Sequence, residues 1–215
     1  MKEWIEDIRK KTKDMNRKDT IGYILTYYWY HIAGFLAVLA LIFVFVLHYT
    51  TYKKPEFTCV MVNQKIDTPR DNQITEKFAK KSKMNAKRIE INSNYNFSYG
   101  SIKLDDVNES SYEKFFLQWK NHELDAVIMP ESFYEYCKKL GGEFYSLDTW
   151  EGGRYETYID SGKFTAVVLG KDRLTGQKLL LAFPETGKHE KVSRKFLKYL
   201  NTTEGEETIE KIING

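Results

Sequence analysis

The stretch ELDAVIMPESF, Glu123–Phe133, carries the clearest fold signal in the chain. An acidic residue is followed by an apolar run, which stops at Pro130-Glu131-Ser132. This pattern predicts a buried strand over Asp125–Met129, a break at the proline, and a helix that runs to about Leu140. The following Gly141-Gly142 is typical of a helix end. A strand that leads directly into a helix is the repeating unit of an α/β domain.

Strands and helices alternate on both sides of this stretch. The predicted elements are a strand over 57–63, a helix over 73–84, a strand over 88–94, a helix over 109–121, the strand and helix of the opening stretch, a strand over 143–148, a hairpin over 154–169 turning at 160–162, a strand over 178–186, and two closing helices over 188–201 and 205–214. Helices that separate strands predict crossover connections and a mainly parallel sheet, to which the hairpin adds antiparallel strands.

An apolar segment precedes this domain. Residues 21–49 contain no Asp, Glu, Lys or Arg, and Ile32–Leu47 is almost wholly apolar. About 20 such residues cross a bilayer core. Aromatic residues suited to the membrane interface flank the segment: Tyr23, Tyr27, Tyr28, Trp29, Tyr30, Tyr49 and Tyr52. A cleaved signal peptide is the alternative, but its apolar core would span about 7 to 15 residues before a small-residue cleavage site. The sequence therefore favours an uncleaved transmembrane helix over 21–49.

Lysine and arginine set the expected orientation of that helix. Seven of them precede it, whereas the near side after it offers Lys53, Lys54 and Lys65. By the positive-inside rule, the N-terminus stays in the cytoplasm and the C-terminal domain lies outside the cell membrane. The expected divisions are a cytoplasmic basic segment over 1–20, a single-pass transmembrane helix over 21–49, a linker over 50–56 and an extracellular α/β domain over 57–215.

The first segment has an apolar face. Trp4, Ile5, Ile8 and Met15 recur at near-helical spacing opposite charged residues. An amphipathic helix on the inner leaflet, a solvated helix and a contact for a partner subunit all fit this pattern.

Charge argues against nucleic acid as a partner. Residues 56–215 carry 24 basic and 25 acidic groups, a net charge of −1. A near-neutral domain lacks the positive surface that binding to phosphates requires.

Cys59 and Cys137 are the two cysteines of the chain. An extracellular location permits a disulfide between them. Cys59 lies in an apolar strand and Cys137 on a helix with aromatic neighbours, so two buried free thiols are an equally open interpretation.

Two stretches resemble the extracellular solute-binding proteins that serve bacterial ABC importers, in their two-lobed type II fold. The first is HELDAVIMPESFYEYCKKLGGEFYSLD, His122–Asp148, in which a strand carrying Asp leads to a helix start and a Gly-rich turn. The second is LLLAFPETGKHEKVSRKFLKYL, Leu179–Leu200, with an apolar strand, a polar turn and a Lys-rich helix. The domain after the apolar segment has a one-domain length. The resemblance therefore implies an α/β fold with one periplasmic-binding-protein-like lobe and a mainly parallel sheet, tethered by the N-terminal helix.

The resemblance also implies ligand-binding positions. These are the helix start at Glu131 and Ser132 and the loop after Asn63, at the carboxyl ends of strands where open α/β sheets bind ligands. Trp150, Tyr155 and Tyr158 would add a stacking platform for a sugar. A structural role is the favoured interpretation, in which Glu131 and Ser132 cap a helix and the aromatic residues cover a sheet face. Without a second lobe, most of the surface of a small ligand would stay exposed to solvent. Tight sites bury about 70 to 90% of the ligand's surface.

Three functions follow as expectations. The first is a membrane-anchored interaction module, an accessory subunit that contacts the lipid bilayer and docks on a transporter or envelope complex. The second is a receptor for a small solute or peptide, and the third is a structural cell-envelope protein. No paired Cys or His has metal-ligand spacing, and no GxSxG, Walker-type or HExxH string occurs. We therefore expect no enzyme, cofactor or metal site.

Overall fold

A computed structural model gives the fold and describes residues 6, 9–13, 15–51, 54–105, 107–150, 153–173 and 175–214. The chain forms two compact units, Met1–Lys53 and Lys54–Gly215. In the predicted amphipathic segment, Trp4, Ile5 and Ile8 lie outside the described residues, as does the interfacial Tyr52. The boundary between the units falls inside the linker predicted over 50–56.

The first unit is dominated by one long helix, α1, Arg17–Thr51. Its part from Arg17 to Tyr49 is long and apolar enough to cross a membrane. A signal sequence near an N-terminus satisfies the same test. Large apolar side chains along it are exposed, among them Phe35, Phe43 and Phe45. Exposure of such an apolar surface to water is unfavourable, so we expect lipid or protein to cover it.

The second unit is an α/β domain. Its helices and strands are β1 Phe57–Val62, α2 Thr68–Ser82, β2 Ile89–Tyr95, α3 Glu109–Lys120, β3 Ala126–Pro130, α4 Glu131–Lys139, β4 Glu156–Asp160, β5 Lys163–Lys171, β6 Lys178–Ala182, α5 Glu190–Leu200 and α6 Thr203–Asn214. The hairpin between β4 and β5 turns at Ser161 and Gly162, whose φ angles of 51° and 78° are those of the turns that suit twisted strands. The α/β class, the hairpin and the two closing helices predicted from the sequence are confirmed.

The six strands form one mixed sheet in the order β2-β1-β3-β6-β5-β4. β1 pairs in parallel with β2 and with β3. The other three pairs, β3 with β6, β6 with β5 and β5 with β4, are antiparallel. The predicted parallel arrangement thus holds for β2, β1 and β3, whereas β6 enters beside β3 in the opposite direction.

The strand predicted over 143–148 is wrong. Phe144 forms one isolated bridge to Pro184. Next, the Tyr145 amide donates to the Phe183 carbonyl at 2.8 Å, and the Leu147 amide donates to the Phe164 carbonyl at 2.6 Å. The segment therefore crosses from the end of β6 to the start of β5. A chain that bridges two strands in this way does not run along either one.

Helices cover both faces of the sheet. On one face, α2, α5 and α6 pack on the strands, and Phe57, Phe78 and Phe196 form an aromatic cluster with ring centroids 4.9 to 5.3 Å apart. On the other face, α3 and α4 supply Phe115 and Phe133, whose rings lie 5.1 Å apart. The domain is therefore a three-layer α/β/α sandwich.

The opening stretch of the sequence lies at the centre of this sandwich. Every residue of β3 is buried, with Val127 facing α3 and α4 and Ile128 facing the opposite layer. Just before it, the buried Asp125 carboxylate accepts the Thr58 amide at 2.9 Å and the His189 amide at 3.0 Å. One acidic side chain thus joins β1, β3 and the start of α5.

The two cysteines are free and buried. Cys59 belongs to the core on the α2 side of the sheet, and Cys137 belongs to the core on the α3 side. Burial raises the pKa of both thiols, and for Cys59 the nearby Asp71 and Asp125 raise the pKa further. The sequence left open a disulfide or two free thiols, and in the structure both thiols are free.

Burial of β3 on both faces predicts a large cost for truncating its side chains. Ile128→Ala should lower the free energy of unfolding by about 2 to 5 kcal/mol, because it leaves a cavity in a packed core. Leu117→Ala is the control, since Leu117 is 59% exposed, and its effect should stay within about 0.5 kcal/mol. Denaturant unfolding of both variants measures these changes in the free energy of unfolding. Equal, small effects would contradict the central position of β3.

The thiols give a second prediction for the folded chain. A thiol reagent applied to the native protein should modify neither Cys59 nor Cys137, because both are buried and their thiolate forms are disfavoured. After denaturation without a reductant, both should react. A denatured chain that reacts only after a reductant is added would show a disulfide instead.

Candidate functional site

The candidate site is the edge of the sheet where the parallel strands end. β1 and β3 end at this edge, β5 runs in the direction of β3 and also ends there, and β6 begins there. Open α/β sheets bind ligands at this edge. The structure places Asn63, Glu131 and Ser132 here, as the sequence predicted.

Asn63 is held by the protein itself. The residue has a left-handed backbone, with φ of 55°, and is buried. Its side-chain oxygen accepts the Phe97 amide at 3.0 Å, and its side-chain nitrogen donates to the Phe97 carbonyl at 3.1 Å. These two bonds extend the pairing of β1 and β2 beyond their ends. Because the side chain is buried and both of its polar atoms bond within the protein, Asn63 has a structural role here.

A buried polar network joins the ends of β1 and β5. Gln64 Nε2 donates to Asp172 Oδ1 at 2.8 Å. The other oxygen of Asp172 accepts the Thr175 amide at 2.7 Å and the Thr175 hydroxyl at 2.6 Å. Sequence reasoning missed this network. The Asp172-to-Thr175 spacing is typical of a side-chain-stabilised turn, but the link to Gln64 spans 108 positions and leaves no local signal.

The start of α4 is capped from another strand. The N-cap position is Pro130, whose side chain makes no capping hydrogen bond. Instead, the Ser132 amide donates to Gln177 Oε1 at 3.0 Å, next to the start of β6. The Ser132 hydroxyl bonds to the Tyr99 hydroxyl at 2.9 Å. The expected capping by the side chains of Glu131 and Ser132 is therefore wrong, because Gln177 occupies that role.

The three aromatic residues proposed as a stacking platform are not together. Trp150 is buried against Phe183, with ring centroids 4.8 Å apart. Tyr155 packs in the same core, and its hydroxyl donates to the Leu200 carbonyl at 2.7 Å. Tyr158 packs on the opposite face of the sheet. The predicted platform is wrong, because Trp150 and Tyr155 pack in one core and Tyr158 packs in the other.

Tyr158 is fixed as a hydrogen-bond donor. Its hydroxyl donates to Glu135 Oε1 at 2.8 Å. Burial and the Glu135 carboxylate both raise the pKa of Tyr158, so the phenol stays protonated at neutral pH. This bond ties β4 to α4.

One cavity opens at this edge beside α4. It has a volume of about 340 Å³, and its lining includes Tyr99, Ser132 and Gln177. These polar groups already bond to one another. No group of three or more His, Cys, Asp or Glu residues suited to a metal ion occurs in the part of the chain that the structure describes. Although a cavity is present, these polar groups are bonded within the protein, and we call the edge closed in this sense.

Capping of α4 by Gln177 leads to a stability prediction. Gln177→Ala should cost about 1 kcal/mol, because the Ser132 amide loses its acceptor at a helix start. Lys139→Ala, at an exposed position near the other end of α4, should stay within about 0.5 kcal/mol. Denaturant unfolding compares the two. A Gln177 variant as stable as the wild type would show that the cap contributes nothing.

Comparison of the chain with protein-family models, with curated proteins and with solved structures finds no match. The similarity to solute-binding proteins therefore stays a prediction from the sequence. Support for a function comes from the fold and from the hydrogen bonds described above.

Proposed function

We propose that the chain is a membrane-anchored interaction module. Helix α1 spans a cell membrane once, the residues before it lie in the cytoplasm, and the unit Lys54–Gly215 lies outside. There it docks on a membrane protein as an accessory subunit of a transporter or envelope complex. The resemblance to solute-binding proteins, which work beside membrane transporters, suggests this class of partner.

Two features of the chain support the membrane part of this proposal. α1 has the length and composition of a spanning helix. The bias of seven basic residues before it against three soon after it favours the stated orientation.

The observation that carries the interaction role is the closed carboxyl edge. At the positions where a solute-binding domain would contact its ligand, Asn63 and the start of α4 bond to other parts of the chain. A ligand group that bound here would have to break these hydrogen bonds. Each buried polar atom that is left without a partner costs free energy. A fold with this edge closed is better suited to presenting its outer surface to a protein partner.

A receptor for a small solute is the second candidate function. One observation favours it: a buried arginine with an unpaired nitrogen beside a groove on the α2 side of the domain. This groove adjoins the loop after Asn63, one of the positions implied by the resemblance, because Asp67 lines it.

Crosslinking on intact cells tests the proposed function. A membrane-impermeant amine crosslinker should join the chain to one membrane protein through exposed lysines of the outer unit, such as Lys103 and Lys120. The same product should form when α1 is replaced by an unrelated spanning helix, because the outer unit makes the contact.

Two results of this experiment would contradict the proposal. Crosslinking only after lysis would show that the orientation is wrong. A chain that is released from the membrane and lacks α1 would identify that helix as a cleaved signal sequence.

A further inference from the structure

A groove runs between helices α2 and α6, with a volume of about 980 Å³. Arg70 in the first turn of α2 lines it, together with acidic residues from both helices. The groove lies on the opposite side of the sheet from the cavity beside α4, since α2 and α6 pack on one face and α4 on the other. It adjoins the loop after Asn63, since Asp67 of that loop lines it.

Arg70 is buried, with 5% of its surface exposed. Its Nη2 donates to the Lys65 carbonyl at 2.9 Å, and its Nε and Nη2 lie 3.3 and 3.2 Å from Asp71 Oδ1. Its third nitrogen, Nη1, is buried and has no hydrogen-bond partner. Buried nitrogens of a charged group are almost always paired, so this one calls for an acceptor.

Asp71 has no oxygen to spare for that nitrogen. Oδ1 already serves the other two nitrogens of Arg70. Oδ2 accepts the Ser93 amide at 2.7 Å and the Ser93 hydroxyl at 2.6 Å. The Lys65 carbonyl and the Asp71 carboxylate thus hold the guanidinium in place, while no described residue supplies an oxygen for Nη1.

The groove around Arg70 carries an excess of negative charge. Its lining holds four carboxylates, Asp67, Glu76, Glu207 and Glu210, against the two bases Arg70 and Lys211. Asp67 caps α2 by accepting the Arg70 amide at 2.9 Å, and Glu207 pairs with Lys77 at 3.3 Å. Among the described residues, neither Glu76 nor Glu210 has an ion-pair partner. Two unpaired carboxylates near the groove repel a simple anion and attract a cation.

We propose that this groove binds a small zwitterion, such as a free amino acid, with its carboxylate on Arg70 Nη1 and its ammonium group near Glu76 and Glu210. The carboxylate supplies the missing acceptor, and charge-assisted bonds of this kind are among the strongest in proteins. The ammonium group offsets the repulsion that a lone carboxylate would meet. A ligand with only a carboxylate would pair with Arg70 alone, and a ligand with only an ammonium group would pair with the two glutamates alone.

Nη1 of Arg70 is not exposed at the surface of the groove. The nitrogen exposes less than 1 Å², so a ligand reaches it only when the surface of the groove opens. Gln73, one turn after Arg70, accepts a hydrogen bond of 2.8 Å from Lys211 of α6. Both residues line the groove. Exposed polar contacts of this kind contribute little stability, so opening this part of the groove opposes binding only weakly.

The test is calorimetric titration of the full-length protein, purified in detergent, with each of the common free amino acids. At least one should bind. Its decarboxylated amine and its deaminated acid should each bind at least about tenfold more weakly, since each loses one charged contact.

Variants assign the binding to the groove. Arg70→Lys removes Nη1 and should weaken the amino acid that binds by about tenfold or more. Since Arg70 is buried, its variant is first checked for a native circular dichroism spectrum. The double variant Glu76→Gln/Glu210→Gln changes exposed positions and should weaken binding similarly. Glu113→Gln is the matched control, because Glu113 is exposed on α3 across the sheet, and it should leave binding unchanged.

Three outcomes would overturn the proposal. The first is that no amino acid binds, which would leave water as the acceptor of Nη1. The second is that the deaminated acid binds as tightly as the amino acid. The third is that Glu113→Gln weakens binding as much as Glu76→Gln/Glu210→Gln does. Each result is independent of whether the outer unit docks on a membrane partner.

Discussion

Burial of strand β3 on both of its faces is the constraint on which the rest of the domain depends. Val127 and Ile128 are consecutive and point to opposite layers, yet neither is exposed to solvent. A strand of this kind needs a helical layer on each side. One layer comes from α3 and α4, which flank β3 in the chain, whereas the other needs α5 and α6 from the end of the chain. The domain therefore cannot complete its core until the last helices are in place.

The same arrangement explains why the carboxyl edge is closed. β6 lies antiparallel beside β3, so that it begins where β3 ends, and Gln177 reaches the first turn of α4. β5 ends at the same edge and brings Asp172 to Gln64. In an all-parallel sheet, this edge would collect loops that are free to bind a ligand. Here the entering strand fills that space with hydrogen bonds. A buried charged side chain with an unpaired nitrogen, Arg70, lies instead at the groove between α2 and α6.

Local patterns in the sequence predicted much of this fold. The apolar run before Pro130, the helix start after it and the hairpin turn at Ser161 and Gly162 all depend on neighbouring residues, and all three are confirmed. The direction of β6 was missed, because it depends on pairing between residues some fifty positions apart. The same holds for the site. The sequence placed Glu131 and Ser132 at the correct edge, but it could not show that Gln177 caps their helix. Nor could it show that Trp150 and Tyr158 face opposite layers.

Native-state hydrogen exchange tests the central position of β3 most directly. In a strand that both layers enclose, amides open only when the whole domain unfolds, whereas edge strands open locally at lower free energy. The amides of Val127, Ile128 and Met129 should therefore exchange with the free energy of global unfolding, and those of the edge strand β4 should exchange more easily. Exchange of the β3 amides through a local opening, at a lower free energy than global unfolding, would contradict a domain built around this strand.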